Sequence, residues 1–203
     1  LDLREHHVEA TLGDGFATTQ IDQTFHNPHS QDLEAVYSFP LPEQAAVAEF
    51  TVWIDGKPVH GEVLEKPRAR QIYEDQKTAG NDAGLTEQDS YKTFDIRVNP
   101  VRAGQDTRIR LVYLQPIQLD TGVGRYVYPL EEGGVDEAKL AFWTAQEEVS
   151  ERFSFKLKLR SGFPVEALRV PNQPQAGISK IDPQQWLVEI NSQAGTLTSS
   201  IDD

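Results

Sequence analysis

The chain has 203 residues, a formal net charge of −13 and no cysteine. The absence of Cys excludes disulfides, thiolate nucleophiles and Cys-based zinc sites. The acidic balance repels phosphate backbones, so we expect no nucleic-acid partner. No apolar run approaches the roughly 20 residues of a membrane-spanning helix, so we expect no membrane insertion of this segment.

Alternating apolar residues predict β-strands at the start of the chain. Val8, Ala10 and Leu12 fall on one face of the first strand, and Gly13-Asp14-Gly15 is a turn signal after which the alternation resumes. Residues 27–32 read as a loop, because Asn-Pro starts turns and Ser and Asp side chains bond to nearby backbone. A further strand follows over residues 33–42.

Two alternating runs then flank Asp55-Gly56. This dipeptide suits a type I′ turn, whose twist matches that of paired strands. Phe50, Val52 and Ile54 share one face of the first run, and Val59 and Val63 share a face on the return. The pattern predicts a β-hairpin.

Residues 65–88 break the strand pattern. Pro67 suits the first position of a helix, and Ala69, Ile72 and Tyr73 have the spacing of a short apolar stripe. Gly80 is suited to end such a helix in the left-handed conformation. We therefore predict one short α-helix, at about 67–79, inserted after the hairpin.

Strand patterns return at residue 91 and continue to the C-terminal region. Phe94, Ile96 and Val98 alternate, as do Ile109, Leu111 and Tyr113. From about residue 131 the pattern is looser, with a predicted pair of strands across Ser161-Gly162 and another strand at 186–190. Many short strands separated by turns predict an all-β chain, folded as an antiparallel β-sandwich.

Motifs for catalysis are missing from the sequence. It contains no Gly-x-Ser-x-Gly elbow, no Walker A loop and no His-Glu-x-x-His. His26 and His29 lie three apart and could form half of a metal site, but polar loop residues explain them better. A calcium site near 131–137 is a weaker alternative than a solvated acidic loop. We predict no enzyme activity, no catalytic residue, no metal and no cofactor.

Arg108 and Arg110 share one face of a predicted strand within the most basic part of the chain. They suit either an acidic partner or a sulfated glycan, and cross-strand ion pairing is the simpler alternative. Trp53 and Trp143 are the candidate aromatic residues for a glycan platform, although packing in the core or within the sheets is the simpler explanation for them.

The order of motifs carries a family resemblance. Phe39-Pro40-Leu41-Pro42 is followed by the Asp55-Gly56 turn, Gly61-Glu62-Val63, Ala69-Arg70 with Tyr73, and Ala83-Gly84-Leu85. Over about residues 3–130 this series resembles the vault protein inter-alpha-trypsin (VIT) domain. Val101-Arg102-Ala103-Gly104 departs from the Pro-Pro-Gly that many members have there, which is a mild change within a turn.

The resemblance implies a domain organisation. Residues 1–130 would be the VIT β-sandwich, and residues 131–203 a β-rich linking segment that leads to an absent von Willebrand factor type A domain, so that the chain is an N-terminal fragment. Members of the family occur in inter-alpha-trypsin inhibitor heavy chains and in bacterial surface proteins, including sortase targets. The lack of Cys and Met with high acidity suggests an exported bacterial member.

The function that the resemblance implies is structural. We expect a non-enzymatic module of a cell-surface adhesion protein, located outside the cell, which positions a following A domain or binds a surface or matrix protein. The predicted interaction residues are Arg70, Tyr73, Leu85, Glu87, Arg108 and Arg110. The alternative is a glycan-binding β-sandwich.

Overall fold

The computed structural model describes residues 1–60, 91–128, 148–171 and 173–196. These residues form β-strands and turns with no helix, so the chain is all-β as predicted. The strands are β1 (Asp2–Gly13), β2 (Phe16–His26), β3 (Leu33–Pro42), β4 (Ala46–Ile54), β5 (Lys57–His60), β6 (Tyr91–Val101), β7 (Asp106–Pro116), β8 (Leu119–Asp120), β9 (Val123–Gly124), β10 (Glu148–Arg160), β11 (Gly177–Asp182) and β12 (Gln185–Thr196). The predicted helix at about 67–79 lies outside the described residues. Within them, a search for a helix long and apolar enough to cross a membrane finds none.

The described strands form one large sheet, a two-stranded sheet that packs against it, and the short pair β8–β9. The large sheet has eight strands in the order β11-β12-β10-β1-β2-β7-β4-β5, and β3 pairs with β6 in a separate two-stranded sheet. Side chains from both sheets meet in one hydrophobic cluster that includes Tyr37 and Phe39 of β3, Phe94 of β6, and Ile21 and Leu111 of the large sheet. The core therefore lies between the two sheets, as in a sandwich.

Alternation along the strands of the large sheet separates an inner from an outer face. In β7, the side chains of Thr107, Ile109, Leu111 and Tyr113 are buried, and the residues between them are exposed or half-buried. The inner face is the one that packs against β3 and β6. Arg108 and Arg110 consequently belong to the outer face.

The tight turns use the residues that the sequence offers. Asp14-Gly15 joins β1 to β2, and Asp55-Gly56 joins β4 to β5, with positive φ at all four residues. Positive φ at both central positions defines the type I′ turn, which Asp-Gly favours. The predicted hairpin is confirmed, with Val52 opposite Val59.

One strand pair departs from the antiparallel prediction. β1 and β10 run parallel over nine residue pairs, from Glu5 opposite Arg152 to Gly13 opposite Arg160. A parallel pair needs a long crossover connection, and more than 130 residues separate these two strands in the sequence. Alternation within a strand carries no information on the direction of its neighbour, so the sequence could not predict this pairing.

A second departure follows β10. The sequence predicts a strand after Ser161-Gly162, whereas residues 163–171 form no strand in the structure. Pro164 cannot donate a hydrogen bond to a ladder, and the Val165 N–H donates instead to the Pro183 carbonyl. The segment thus packs beside the β11–β12 turn without joining the sheet.

Candidate interaction surface

The two predicted arginines lie side by side on the outer face. Arg110 is opposite Asp22 of β2, and Arg108 is opposite Trp53 of β4. We call Asp22, Trp53, Arg108 and Arg110 the outer-face cluster. Three adjacent strands, β2, β7 and β4, therefore bring together residues from three distant parts of the sequence.

Asp22 is the centre of the outer-face cluster. Its Oδ1 accepts hydrogen bonds from Arg108 Nη2 at 2.6 Å and from Arg110 Nε at 3.1 Å. Gln20 Nε2 donates to Oδ2 at 2.9 Å. The Asp22 side chain is only 16% exposed, so these donors replace water that burial removes. One carboxylate is thus shared by two guanidinium groups.

The ionisation of Asp22 reflects that environment. Burial acts to raise the pKa of its carboxyl group, because it disfavours the charged form. The hydrogen bonds from Arg108, Arg110 and Gln20 outweigh burial and hold the pKa below its ordinary value. Asp22 is therefore charged at neutral pH, and the ion pairing predicted as the simpler alternative is confirmed.

Trp53 contributes its ring to the same cluster. The Arg108 guanidinium carbon lies 4.5 Å from the ring centroid, and that of Arg110 lies 5.6 Å from it. Such distances are typical of cation–π contacts. Trp53, Arg108 and Arg110, the described candidates for glycan binding, are therefore adjacent. However, the guanidinium groups lie over the ring, where a sugar would stack. Trp143 lies outside the described residues.

A second charged cluster lies at one end of the sandwich. Arg102 donates through Nε and Nη2 to both carboxylate oxygens of Asp55, at 3.2 and 3.0 Å, and through Nη1 to Asp32 at 2.8 Å. The Ala103 N–H also donates to Asp32. We call Asp32, Asp55 and Arg102 the Arg102 cluster. It ties three connections together, namely 27–32, the β4–β5 turn and the β6–β7 turn.

Asn27 organises the same region from within. It is fully buried, and its side-chain amide donates to the carbonyl groups of Gln31 and Val101. Its side-chain oxygen accepts from the His29 N–H, and its backbone bonds to Gly104 and Gln105. One residue therefore connects the loop at 27–32 to the β6–β7 turn through hydrogen bonds. We call this end of the sandwich, with residues 27–32, 55–56 and 102–105, the loop end.

A third cluster flanks the loop end. The Arg4 guanidinium lies 3.1 Å from Asp106 and 3.5 Å from Glu151, and His26 Nδ1 lies 2.7 Å from Asp106 Oδ1. We call these four residues the Arg4 cluster. His26 thus pairs with a carboxylate of β7, away from the exposed His29. Among the described residues, no group of three or more potential metal ligands is found.

The inner face contains a polar contact that the sequence did not indicate as a site. His6 is buried, and its Nε2 lies 2.7 Å from the Tyr128 hydroxyl. Its ring also meets Phe153 edge to face. Burial, and secondarily the neighbouring His7, lowers the pKa of His6 to about 3, whereas burial raises the pKa of Tyr128 well above its ordinary value. Both groups are neutral at pH 7 and suited to structure rather than to proton transfer.

The predicted interaction residues divide into two groups. Arg108 and Arg110 lie together on the outer face, as predicted for residues two apart in one strand. Arg70, Tyr73, Leu85 and Glu87 lie outside the described residues. Sequence reasoning missed Asp22, Asp32 and Arg102, since the signal that would find them is strand register, which one sequence does not contain.

The family of the chain follows from comparison with known domains. The family model described as the vault protein inter-alpha-trypsin domain matches residues 3–113. The chain belongs to this family. All of the outer-face cluster and the Arg102 cluster fall within the matched part of this VIT domain.

Similar proteins place VIT domains within much longer chains. Protein mono-ADP-ribosyltransferase PARP4 of Mus musculus is 31% identical over 61% of this chain, and von Willebrand factor A domain-containing protein 5A of Mus musculus is 30% identical over 63%. Inter-alpha-trypsin inhibitor heavy chain H6 of Homo sapiens is 29% identical over 64%. This VIT domain spans 6%, 16% and 10% of those three proteins, respectively.

A solved structure shares the fold beyond the family match. The crystal structure of a proposed nutrient-binding protein from Legionella pneumophila superposes with a TM-score of 0.55 at 12% sequence identity. The superposition covers 98% of this chain and 64% of the other. The likeness concerns the fold alone.

Proposed function

We propose that this VIT domain is a non-enzymatic interaction module that positions a following von Willebrand factor type A domain. The observation that carries the proposal is the family match over residues 3–113, together with relatives named for an A domain. The geometry supports it, because the charged side chains of the outer-face cluster are paired with each other. Pairs of this kind suit a contact surface better than a catalytic centre, which needs groups with pKa values near the working pH.

The enzyme among the relatives does not alter the proposal. PARP4 is named as a mono-ADP-ribosyltransferase, but this chain spans only 6% of it. An activity of the whole protein therefore has no necessary connection with the matched part. The neutral His6–Tyr128 pair also argues against acid–base chemistry in the core.

Location outside the cell, on the surface of a bacterium, forms part of the same proposal. The support is the similarity to inter-alpha-trypsin inhibitor heavy chain H6, the lack of Cys and Met, and the high acidity. A sortase signal and a surface or matrix partner belong to this proposal too. Sequencing or mass spectrometry of the parent protein from isolated cell envelopes tests it, and recovery in the cytoplasm alone would contradict it.

Domain positioning is tested by comparing residues 1–203 alone with the same residues joined to the polypeptide that follows them in the parent protein. Hydrogen exchange should be slower at some VIT surface in the longer protein. Arg70→Ala with Tyr73→Ala examines the contact predicted for 67–88. Unchanged exchange throughout the domain would overturn the positioning role.

Glycan binding is the second candidate, favoured by the meeting of Trp53 with Arg108 and Arg110. Because the Asp22 carboxylate already binds both guanidinium groups, a sulfated glycan would have to compete with it. A glycan array probed with folded protein, and with Trp53→Ala as the control, tests this alternative. Binding that Trp53→Ala abolishes would support it, and an empty array would exclude it.

A further inference from the structure

Both ends of the described chain lie at the loop end of the sandwich. Asp2 is opposite His26, which is opposite Asp106, and these pairs form the row of the large sheet nearest the loop end. Thr196 is opposite Glu148 at the start of β10, which runs parallel to β1. Any polypeptide that continues beyond Thr196 therefore leaves from this end.

The loop end is ordered before anything binds to it. Asn27 and the Arg102 cluster fix the three connections through hydrogen bonds of 2.8–3.2 Å. The side chains of residues 28–31 nevertheless remain exposed. A loop that is already rigid loses little conformational entropy on binding, which favours its use as a contact surface.

The charge of the loop end defines a complementary partner. The Arg102 and Arg4 clusters together contain four carboxylates and two guanidinium groups. The carboxylates of the two clusters outnumber their guanidinium groups by two, and Lys57 beside Asp55 offsets one of these charges, so this end keeps an excess of negative charge. A partner surface that presents Lys or Arg side chains would match it.

The opposite end of the sandwich differs in chemistry and in position. It has large exposed apolar side chains, with Phe163 81% and Leu119 73% exposed, and exposed charged side chains that include Arg125 and Arg160. It lies the length of β1 away from both chain ends, about 35–40 Å at the rise of a strand. Residues 197–203 span at most about 25 Å when extended, less than the distance to the opposite end, so a domain that follows residue 203 would meet the loop end first.

We propose that the loop end is the docking surface for the domain that follows residue 196, and that this domain contacts it through a basic surface. The proposal rests on the proposed function and adds the surface and the chemistry of the contact. Tethering at the same end gives the contact a high effective concentration, so modest complementarity is enough to hold the two domains together.

The test uses residues 1–203 alone and the same residues joined to the following domain, called here the two-domain protein. Hydrogen exchange follows the amides of 27–32 and 102–105, and hydroxyl-radical footprinting follows His29 at the loop end with Phe163 and Leu119 as references at the other end. We expect exchange at the loop end to slow about tenfold or more in the two-domain protein. Oxidation of His29 by hydroxyl radicals should decrease, while that of Phe163 and Leu119 should not change.

Charge reversal supplies the matched variants. Glu151→Lys in the Arg4 cluster, which flanks the loop end, should return exchange to the rate of residues 1–203 alone, whereas Glu166→Lys, exposed beside the opposite end, should leave the protection intact. Thermal melts of each isolated variant check that both are folded, and Glu151→Gln provides a milder substitution if Glu151→Lys is unstable.

The outcomes separate this proposal from the proposed function. Protection that develops at Phe163 and Leu119, or on the outer face at 108–112, would overturn the loop end as the docking surface while leaving domain positioning intact. No added protection anywhere would overturn both. Protection at the loop end that Glu151→Lys and Glu166→Lys affect equally would overturn the basic surface of the partner.

Discussion

Asp22 and Arg110 face each other across β2 and β7, with Arg110 Nε 3.1 Å from Asp22 Oδ1. The same oxygen also accepts a bond from Arg108, so two neighbouring cations share one carboxylate. We expect Asp22→Asn to lower the free energy of unfolding by about 1–3 kcal/mol, because the change leaves two half-exposed guanidinium groups without their anion. Urea denaturation measures the effect.

Glu34 provides the control for this prediction. It pairs with Arg97 at 3.5 Å, but Arg97 is 81% and Glu34 54% exposed. Exposed pairs contribute little, so Glu34→Gln should change the free energy of unfolding by less than about 0.5 kcal/mol. Equal effects of Asp22→Asn and Glu34→Gln on the free energy of unfolding would show that Asp22 stabilises the domain no more than an exposed ion pair does.

The contribution of Asp22 should depend on pH. Its pKa is lower in the folded domain than in the unfolded chain, so its stabilisation is complete above the unfolded pKa, near 4, and is lost as the pH falls through the folded value. The difference in unfolding free energy between wild type and Asp22→Asn should therefore be constant from pH 7 to 5 and shrink in more acidic solution. A difference that grows below pH 4 would contradict this assignment.

His6 makes the free energy of unfolding depend on pH in a higher range than Asp22 does. Its pKa is about 6.5 in the unfolded chain and about 3 in the folded domain, so the unfolded chain binds more protons between these values. Stability from the neutral His6 is complete above pH 6.5 and falls as the pH drops towards 3, by at most about 1.4 kcal/mol per pH unit.

Two histidine variants isolate that dependence. His6→Gln removes the titrating group and should flatten the slope of unfolding free energy against pH between 6.5 and 3. His7→Gln, which changes the neighbouring half-exposed imidazole, should leave the slope nearly intact. The measurement is a series of urea titrations across that range, and a slope unaffected by His6→Gln would refute the buried neutral state.

The sequence predicted those features that depend on local pattern. Alternation placed Arg108 and Arg110 on the face opposite to Ile109 and Leu111, and Asp55-Gly56 marked its hairpin. The same rule accounts for the burial of His6 beside the half-exposed His7.

Features that depend on register could not be predicted. Asp22 meets Arg110 only because β2 pairs with β7, more than 80 residues away, and Arg102 meets Asp32 and Asp55 only because three connections converge. The parallel position of β10 beside β1 is of the same kind. A single sequence specifies which face a residue takes, but not which strand lies beside it.

Gly56 offers a test of the hairpin. Its φ is +73°, and a Cβ added there would meet no atom within 4 Å, so only backbone conformation opposes substitution. We expect Gly56→Ala to cost about 1 kcal/mol, as the left-handed region is unfavourable for Ala. Gly162→Ala is the matched control, because it also has open space but no such φ, and it should be neutral. Equal melting temperatures for both variants would argue against the type I′ turn.

The last prediction concerns the boundary at residue 130 that the family resemblance implies. β10 pairs with β1 along nine residues, and Phe153 and Ile190 belong to the same hydrophobic cluster as Ile21 and Leu111. A chain ending at residue 130 would lose these buried side chains and expose the backbone edge of β1. Open edges promote aggregation, so we expect residues 1–130 alone to melt at a much lower temperature than the full chain, or to aggregate.

Circular dichroism melts and size-exclusion chromatography of the two chains measure this, with a chain ending at residue 196 as the control, since it retains β10 to β12. A cooperative melt of residues 1–130 at the temperature of the control would show that the boundary at 130 separates independent units.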